Sequence, residues 1–286
     1  MAKADSVFLD LLDTLAEEGT WDENPRPKYK DGESAHSRFI TDVYMKYEPE
    51  ITPIISLRHT AWKTGIREAF VIYQKQSSKL KDLHDMKVFW WDEWCINPEA
   101  PYEERWCGQR YGETVRKWDL MNKLLDGLVN DPFSRRHNID LYQYSDMEET
   151  KGLNPCAFLT EWACRRAKDG KMYLDVALKQ RSSDFGTAFS INQIQYKALQ
   201  MMVACHCGYE VGTFSHHVMN LHGYDRHGDS LAQLTLAESK LPEGEPKLVL
   251  NAPSGTNFYD IDIKDFKMIN YNPVIHEPRL EFELAI

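Results

Sequence analysis

Apolar residues recur at helical spacing over residues 6–18, where Val7, Phe8, Leu11, Leu12 and Leu15 share a face and Gly19 offers a stop. The same spacing predicts a helix over 59–74, carrying Trp62, Ile66, Ala69, Phe70 and Tyr73, and another over 119–130, carrying Leu120, Leu124, Leu125 and Leu128. Asn130-Asp131-Pro132 ends that helix, because proline disfavours the helical conformation in the residue before it. Residues 192–207 read as a largely buried helix. Strict alternation predicts a strand over 171–179, where Met172, Leu174, Val176 and Leu178 face one way and Tyr173, Asp175 and Ala177 the other. Further strands are expected over 138–144, 247–251 and 258–263. Residues 21–37, rich in Pro, Lys, Asp and Gly, read as an irregular loop, and 95–110, with two prolines and many charges, as a surface excursion. Helices and strands mix without a regular βαβ alternation and no linker divides the chain. The expectation is one α+β domain over 1–286 built on a mixed sheet.

Composition narrows the partners. The 286 residues include 34 Lys+Arg against 44 Asp+Glu, a formal net charge of −10. A basic face for duplex DNA is not expected from such a chain. No apolar run approaches the ~20 residues that span a bilayer. The segment Met1-Ala2-Lys3-Ala4-Asp5 lacks the basic flank and apolar stretch of a secretory signal. Six cysteines, at 95, 107, 156, 164, 205 and 207, then read as reduced thiols, and the cytoplasm is the expected location.

Six segments carry side chains with chemistry to offer. Cys156 follows Pro155 at the start of an apolar run; it is a buried thiol or, given cationic neighbours such as Arg135, Arg136 and Arg181, a reactive thiolate. Arg135-Arg136, just after the helix-ending turn, is either solvated charge or a fork for phosphate. Gln180-Arg181-Ser182-Ser183-Asp184 closes the alternating strand with groups suited to phosphate and to a heterocycle, or with an ordinary polar loop. Cys205-His206-Cys207 with His216, His217, His222 and His227 raises a metal site, but the one-residue spacing of the cysteines does not suit structural zinc, and no metal is expected. Trp90-Trp91-Asp92-Glu93-Trp94 is core packing or a stacking wall. Glu68, on an apolar helix turn, is at the surface or poised in a site.

Taken in order, these segments resemble the folate-dependent thymidylate synthases and the related pyrimidine hydroxymethylases. The match is carried by Asn130-Asp131-Pro132-Phe133-Ser134-Arg135-Arg136, Asn154-Pro155-Cys156, Gln180 through Asp184, Asn192 through Tyr196, Gly212-Thr213-Phe214, His222-Gly223-Tyr224, Phe258-Tyr259, Asp265-Phe266 and Phe282-Glu283-Leu284-Ala285-Ile286. Ala61-Trp62-Lys63-Thr64 and the Phe-Glu-Leu-Ala ending look most like the variants of bacilli and their phages.

The resemblance implies a large mixed sheet flanked by helices, dimerisation through the sheets, and conversion of deoxyuridylate (dUMP) to thymidylate. 5,10-Methylenetetrahydrofolate would be consumed as carbon and hydride donor, with no metal. It implies Cys156 as nucleophile at C6 of the uracil, Glu68 and Tyr111 as proton-handling groups, and Asn192 on the pyrimidine edge. Arg26, Arg181 and Ser182 would bind the phosphate together with Arg135 and Arg136 of a second subunit, and His222 and Tyr224 the deoxyribose. Asp184, Trp91, Trp94 and the Ile286 end would hold the folate. Two departures stand out. Ala157 occupies a position where many members have histidine, although the bacillus type also lacks it, and Ala188-Phe189-Ser190-Ile191-Asn192 replaces a Gly-x-Pro-Phe-Asn pattern. An ungapped count from Asp184 puts Asn192 at the pyrimidine position; a gapped one puts Ser190 there. A hydroxymethylase on the same scaffold, or a binding protein that has lost the chemistry, are the competing readings.

Overall fold

A computed structural model describes residues 1–286. The alternating segment becomes a central strand of a seven-stranded sheet. In chain order the strands are β1 (Thr20–Trp21), β2 (Ser37–Tyr47), β3 (Asn138–Asp140), β4 (Ala157–Arg166), β5 (Met172–Gln180), β6 (Ser183–Asp184) and β7 (Glu210–Tyr224). Their spatial order is β1-β2-β7-β5-β4-β3, with β6 beside β7. The β5–β7 and β6–β7 pairs are parallel and the others antiparallel, so the sheet is mixed as expected. A separate antiparallel pair joins β8 (Lys247–Leu250) to β9 (Phe266–Ile269).

The helices are α1 (Lys3–Glu18), α2 (Trp62–Ala69), α3 (Leu80–Asp85), α4 (Gly112–Lys117), α5 (Leu120–Asn130), α6 (Tyr144–Glu149), α7 (Ala188–Cys207) and α8 (Gly228–Leu236). α7 packs on both α2 and β7. It is buried on most of its sides, and the polar side chains of Gln193, Gln195, Lys197 and Gln200 are buried with it. A helix of that kind is stable only inside a core. One cluster of 54 buried apolar residues, from Ala4 to Phe266, joins the sheet, α1, α2, α5 and α7.

Several expectations need correction. The 258–263 segment is not a strand. It forms 3₁₀ turns at Phe258–Asp260 and Ile263–Asp265, because Asn257 and Asp262 cap the first amides of each turn and pull the chain out of extension. The strand lies at Phe266–Ile269 instead. The strand expected over 138–144 stops at Asp140, whose side chain accepts from the Tyr142 amide at 2.8 Å and turns the chain. The helix expected over 59–74 begins at Trp62, and from Phe70 to Lys75 it widens into a π-type turn. Residues 95–110 are not wholly a surface excursion, since Cys107, Gln109 and Arg110 are buried. The 21–37 loop likewise buries Tyr29 and Ala35 against Ala285 near the C-terminus.

Candidate active site

Strand pairing builds the floor of the site. Ala157, first in β4, pairs with Gln180, last in β5, and the Arg181 amide donates to the Cys156 carbonyl at 2.9 Å. A register shift between Ala157 and Leu159 marks a bulge, a device that re-aims neighbouring side chains. Cys156 therefore stands just before β4 and beside Arg181. In β6, Asp184 lies opposite His222 of β7. Three segments remote in sequence thus reach one place through the sheet alone.

Above that floor lies a cavity of about 420 Å³. Its lining includes Arg26, Glu68, Trp91, Trp94, Tyr111, Cys156, Arg181, Ser182, Asp184, Asn192, His222 and Tyr224, each of which the sequence had singled out. Asn192 faces the cavity, whereas Ser190 is fully buried in α7 and does not line it. Of the two positions the counts allow, Asn192 is the one that lines the cavity. Arg135 and Arg136 are exposed and lie outside this cavity in the single chain. Leu284 and Ala285 line it, while Ile286 exchanges backbone hydrogen bonds with Lys28 at 2.8 and 2.9 Å. That pairing holds the last residues beside the segment that carries Arg26. Arg226 reinforces it, pairing with Glu283 at 3.0 Å and Asp31 at 2.8 Å.

The electrostatics around Cys156 pull in opposite directions. Burial pushes its thiol pKa up and outweighs the positive charges of Arg181 and Arg26, which draw it down. Arg181 Nη2 lies 3.3 Å from Sγ and also donates to the Asn154 carbonyl at 2.8 Å; its Nε donates to the Pro155 carbonyl at 3.0 Å. Those carbonyls hold the guanidinium against the sulfur. Tyr111 accepts from the Cys156 amide at 3.1 Å. Its backbone has φ of +46°, a conformation rare for a side-chain-bearing residue, and the next residue explains how it is held. A Cβ on Gly112 would sit 2.2 Å from the Ser77 carbonyl oxygen, so only glycine lets the chain approach that closely.

Glu68 projects from α2 into the cavity. Burial raises its pKa, opposed by hydrogen bonds from Trp90, Trp91 and Gln195. Trp90 Nε1 donates to it at 3.0 Å, and Trp91 Nε1 donates to the same oxygen. The tryptophan cluster is thus partly a carboxylate-holding device. The π-type turn that follows α2 places Ile72 in the cavity wall. Asp184 receives Gly186 N–H at 2.8 Å and Thr187 Oγ1 at 2.6 Å. His227 Nδ1 is 3.5 Å from it. Burial acts against charge on both partners, but their mutual attraction outweighs it: the Asp184 pKa falls and the His227 pKa rises. His222 is held by Asn220 Oδ1 at 2.9 Å, and burial lowers its pKa, so it favours the neutral form.

The sequence reading gave no site role to His227, Thr187 and Gln195, and named Gln180 only within the polar segment that closes the alternating strand. His227 was noted only as a metal candidate, and Gln195 lies in a helix whose core pattern hides it. The Cys205-His206-Cys207 cluster does not converge: His206 Nδ1 accepts from Phe258 N–H at 3.1 Å, and Cys205 faces the Ala252 and Pro253 carbonyls. No group of three or more His, Cys, Asp or Glu side chains is arranged to hold a metal ion, and no helix is long and apolar enough to cross a membrane.

Comparison with known proteins identifies the family. The thymidylate synthase family profile matches residues 6–286. Thymidylate synthase of Lactococcus lactis subsp. cremoris is 45% identical over 289 residues, covering 100% of both chains. The enzyme of Streptococcus pneumoniae is 43% identical over the same coverage. The solved structure of thermostable thymidylate synthase A from Bacillus subtilis superposes with a TM-score of 0.85 at 30% identity, covering 99% of each chain. With its sheet, its cysteine–arginine pair and its full-length likeness to these enzymes, the chain belongs to the thymidylate synthase family of methyltransferases.

Proposed function

We propose that this chain converts dUMP to thymidylate through a covalent bond between Cys156 and C6 of the uracil. The observation that carries the reading is the contact of Arg181 with Cys156 Sγ, at 3.3 Å, in the cavity that Asn192, His222 and Tyr224 also line. Thiolate attack at C6 leaves C5 electron-rich and able to form the new carbon–carbon bond, which splits one difficult substitution into easier steps. Arg26, Arg181 and Ser182 bind the phosphate, completed by Arg135 and Arg136 of the partner subunit in a homodimer. The exposure of that pair and its absence from the lining of the chain's own cavity support this sharing. Asn192 meets the uracil edge with one donor and one acceptor. His222 and Tyr224 take the deoxyribose hydroxyl.

The remaining lining fits a reduced folate. Trp91, Trp94, Ile72, Leu153 and Ile191 give an apolar wall, and Asp184 supplies one partly buried carboxylate for a pterin's N–H groups. When bound, 5,10-methylenetetrahydrofolate supplies the one-carbon unit and then the hydride. Tyr111, whose hydroxyl stays protonated because burial raises its pKa, passes the C5 proton through water rather than acting as a charged base. Glu68 serves proton transfer at O4. Leu284, Ala285 and the Ile286 end cover the cofactor and keep water from the reactive carbon. The six unpaired cysteines suit the cytoplasm.

The test is a mass spectrum after incubation with 5-fluorodeoxyuridylate and methylenetetrahydrofolate. A ternary adduct on Cys156, absent in Cys156→Ser, is expected. With dUMP itself, dihydrofolate absorbance rises as thymidylate forms; a hydroxymethyl product without dihydrofolate would replace this reading.

A further inference from the structure

The cavity floor carries a chain of hydrogen bonds in which His216, Gln180 and Gln195 have no part in the reaction described above. His216, buried in β7, lies with Nε2 2.9 Å from Gln180 Oε1. Gln180 Nε2 donates to the Ser182 carbonyl at 3.0 Å and to Asn192 Oδ1 at 3.0 Å. Asn192 Nδ2 in turn donates to Gln195 Oε1 at 3.1 Å. Gln195 adds its hydrogen bond to the Glu68 carboxyl.

The sense of this chain is fixed at one end by a group that cannot turn over. A backbone carbonyl only accepts, so Gln180 must present its nitrogen to Ser182. Its oxygen then faces His216, which must carry its proton on Nε2. The other ring nitrogen, Nδ1, is buried without a partner, which suits a bare lone pair better than an unsatisfied N–H. Burial keeps the ring neutral, its pKa lowered to about 3. The ring is clamped between Phe189 and Phe214, with centroids 5.9 and 6.3 Å away. With Gln180 held, the atom of Asn192 facing it must be the oxygen and the atom facing Gln195 the nitrogen.

We propose that His216 is a positioning residue which, through Gln180, locks the Asn192 amide in the orientation that accepts uracil and rejects cytosine. The inference rests on the reading of Asn192 as the pyrimidine-edge residue. Uracil offers a donor at N3 and an acceptor at O4, matching a fixed Oδ1 and Nδ2. Cytosine offers the reverse pair and requires the amide to turn over. Turning Asn192 sets nitrogen against nitrogen at Gln180 and oxygen against oxygen at Gln195. Turning Gln180 as well sets its oxygen against the Ser182 carbonyl and its nitrogen against the Nε2–H of His216. Discrimination therefore comes from the groups behind Asn192 as much as from Asn192 itself.

The experiment measures dissociation constants of dUMP and deoxycytidylate by calorimetry on the full chain. His216→Phe removes the proton donor but keeps a ring between Phe189 and Phe214. Gln180→Met cuts the relay at its centre. Both are expected to lower the preference for dUMP by roughly tenfold or more, whereas His216→Gln, whose amide nitrogen can replace Nε2–H, keeps it. A preference unchanged within about twofold in a folded His216→Phe or Gln180→Met protein overturns the relay and leaves Asn192 as the sole discriminator. A wild type with no preference for dUMP overturns the uracil reading and the relay together. Long-range proton–nitrogen NMR of the wild type checks the same assignment without a substitution: the Nε2–H tautomer of His216 is expected, and the Nδ1–H tautomer overturns it.

Discussion

Replacing Arg181 with methionine isolates what the guanidinium does for the nucleophile. The substitution removes the charge 3.3 Å from Sγ but keeps an unbranched apolar stem. A hydrogen bond to a charged group contributes about 1.5–3 kcal/mol. At 1.36 kcal/mol per pH unit, losing it moves the Cys156 titration midpoint up by about 1–2 units. The assay is the rate of iodoacetamide alkylation of Cys156 against pH, followed by mass spectrometry so that the other five thiols do not confuse it. The rate near neutrality falls by less than the thiolate fraction does, because a more basic thiolate is also more nucleophilic. With a Brønsted slope of about 0.45, each unit costs roughly threefold, so a fall of about three- to tenfold is expected at pH 7. The substitution also leaves the Asn154 and Pro155 carbonyls without the guanidinium donors they now have. A melting temperature close to wild type shows that the fold has survived. If the midpoint of the folded variant stays within about 0.3 unit of wild type, Arg181 does not hold the thiolate, and the electrostatic account of the site fails.

Other perturbations reach different parts of the molecule. Asp5 is buried, accepts the Ser56 and Leu57 amides on Oδ1 at 2.6 and 3.2 Å, and is raised by burial from 3.8 to about 6. Between those values the folded state binds more protons than the unfolded one, so stability falls as pH rises through that window, by roughly 3 kcal/mol in all. Asp5→Asn keeps the accepting oxygen and should flatten urea-unfolding stability between pH 4 and 6; an unchanged slope would show that Asp5 is not the group responsible. Gly112→Ala forces a Cβ into the Ser77 backbone, with an expected loss of about 1–3 kcal/mol in denaturant unfolding and a displaced Tyr111; a variant as stable as wild type would refute the close-approach argument. Mixing inactive Cys156→Ser and Arg135→Ala chains should restore part of the activity through hybrid dimers carrying one intact site. No recovery despite demonstrated subunit exchange would contradict a shared phosphate pocket.

Where a segment has one buried face, its element could be read directly. The alternation of 172–178 and the stripe of 120–130 follow from period alone, because packing chose those residues. β7 escaped the same reading. It buries His216, Ser215 and His222 among its apolar residues, since one end of the strand faces the cavity and must carry polar groups. β2 was equally obscure: only its last five residues alternate between buried and exposed, and its first four are all half-buried. The 258–263 segment misled because Tyr259, Ile261 and Ile263 alternate with Asp260 and Asp262 as they would in a strand, while the capping side chains that turn it act over only a few residues.

The chain by itself determined the chemistry on offer: a cysteine behind a proline, arginines in a fixed order, a glutamate on an apolar helix and an asparagine eight residues beyond an aspartate. Covalent order supplies such groups but no distances between them. Only the tertiary structure set Arg181 against the sulfur, through the β4–β5 register, and brought Asp184 opposite His222, through the parallel β6–β7 pair. It alone aligned His216, Gln180 and Asn192 into a hydrogen-bond chain with one direction. Position in sequence cannot carry that information, because hydrogen-bond sense and charge–charge attraction depend on separations of a few ångströms that folding creates between residues tens of positions apart.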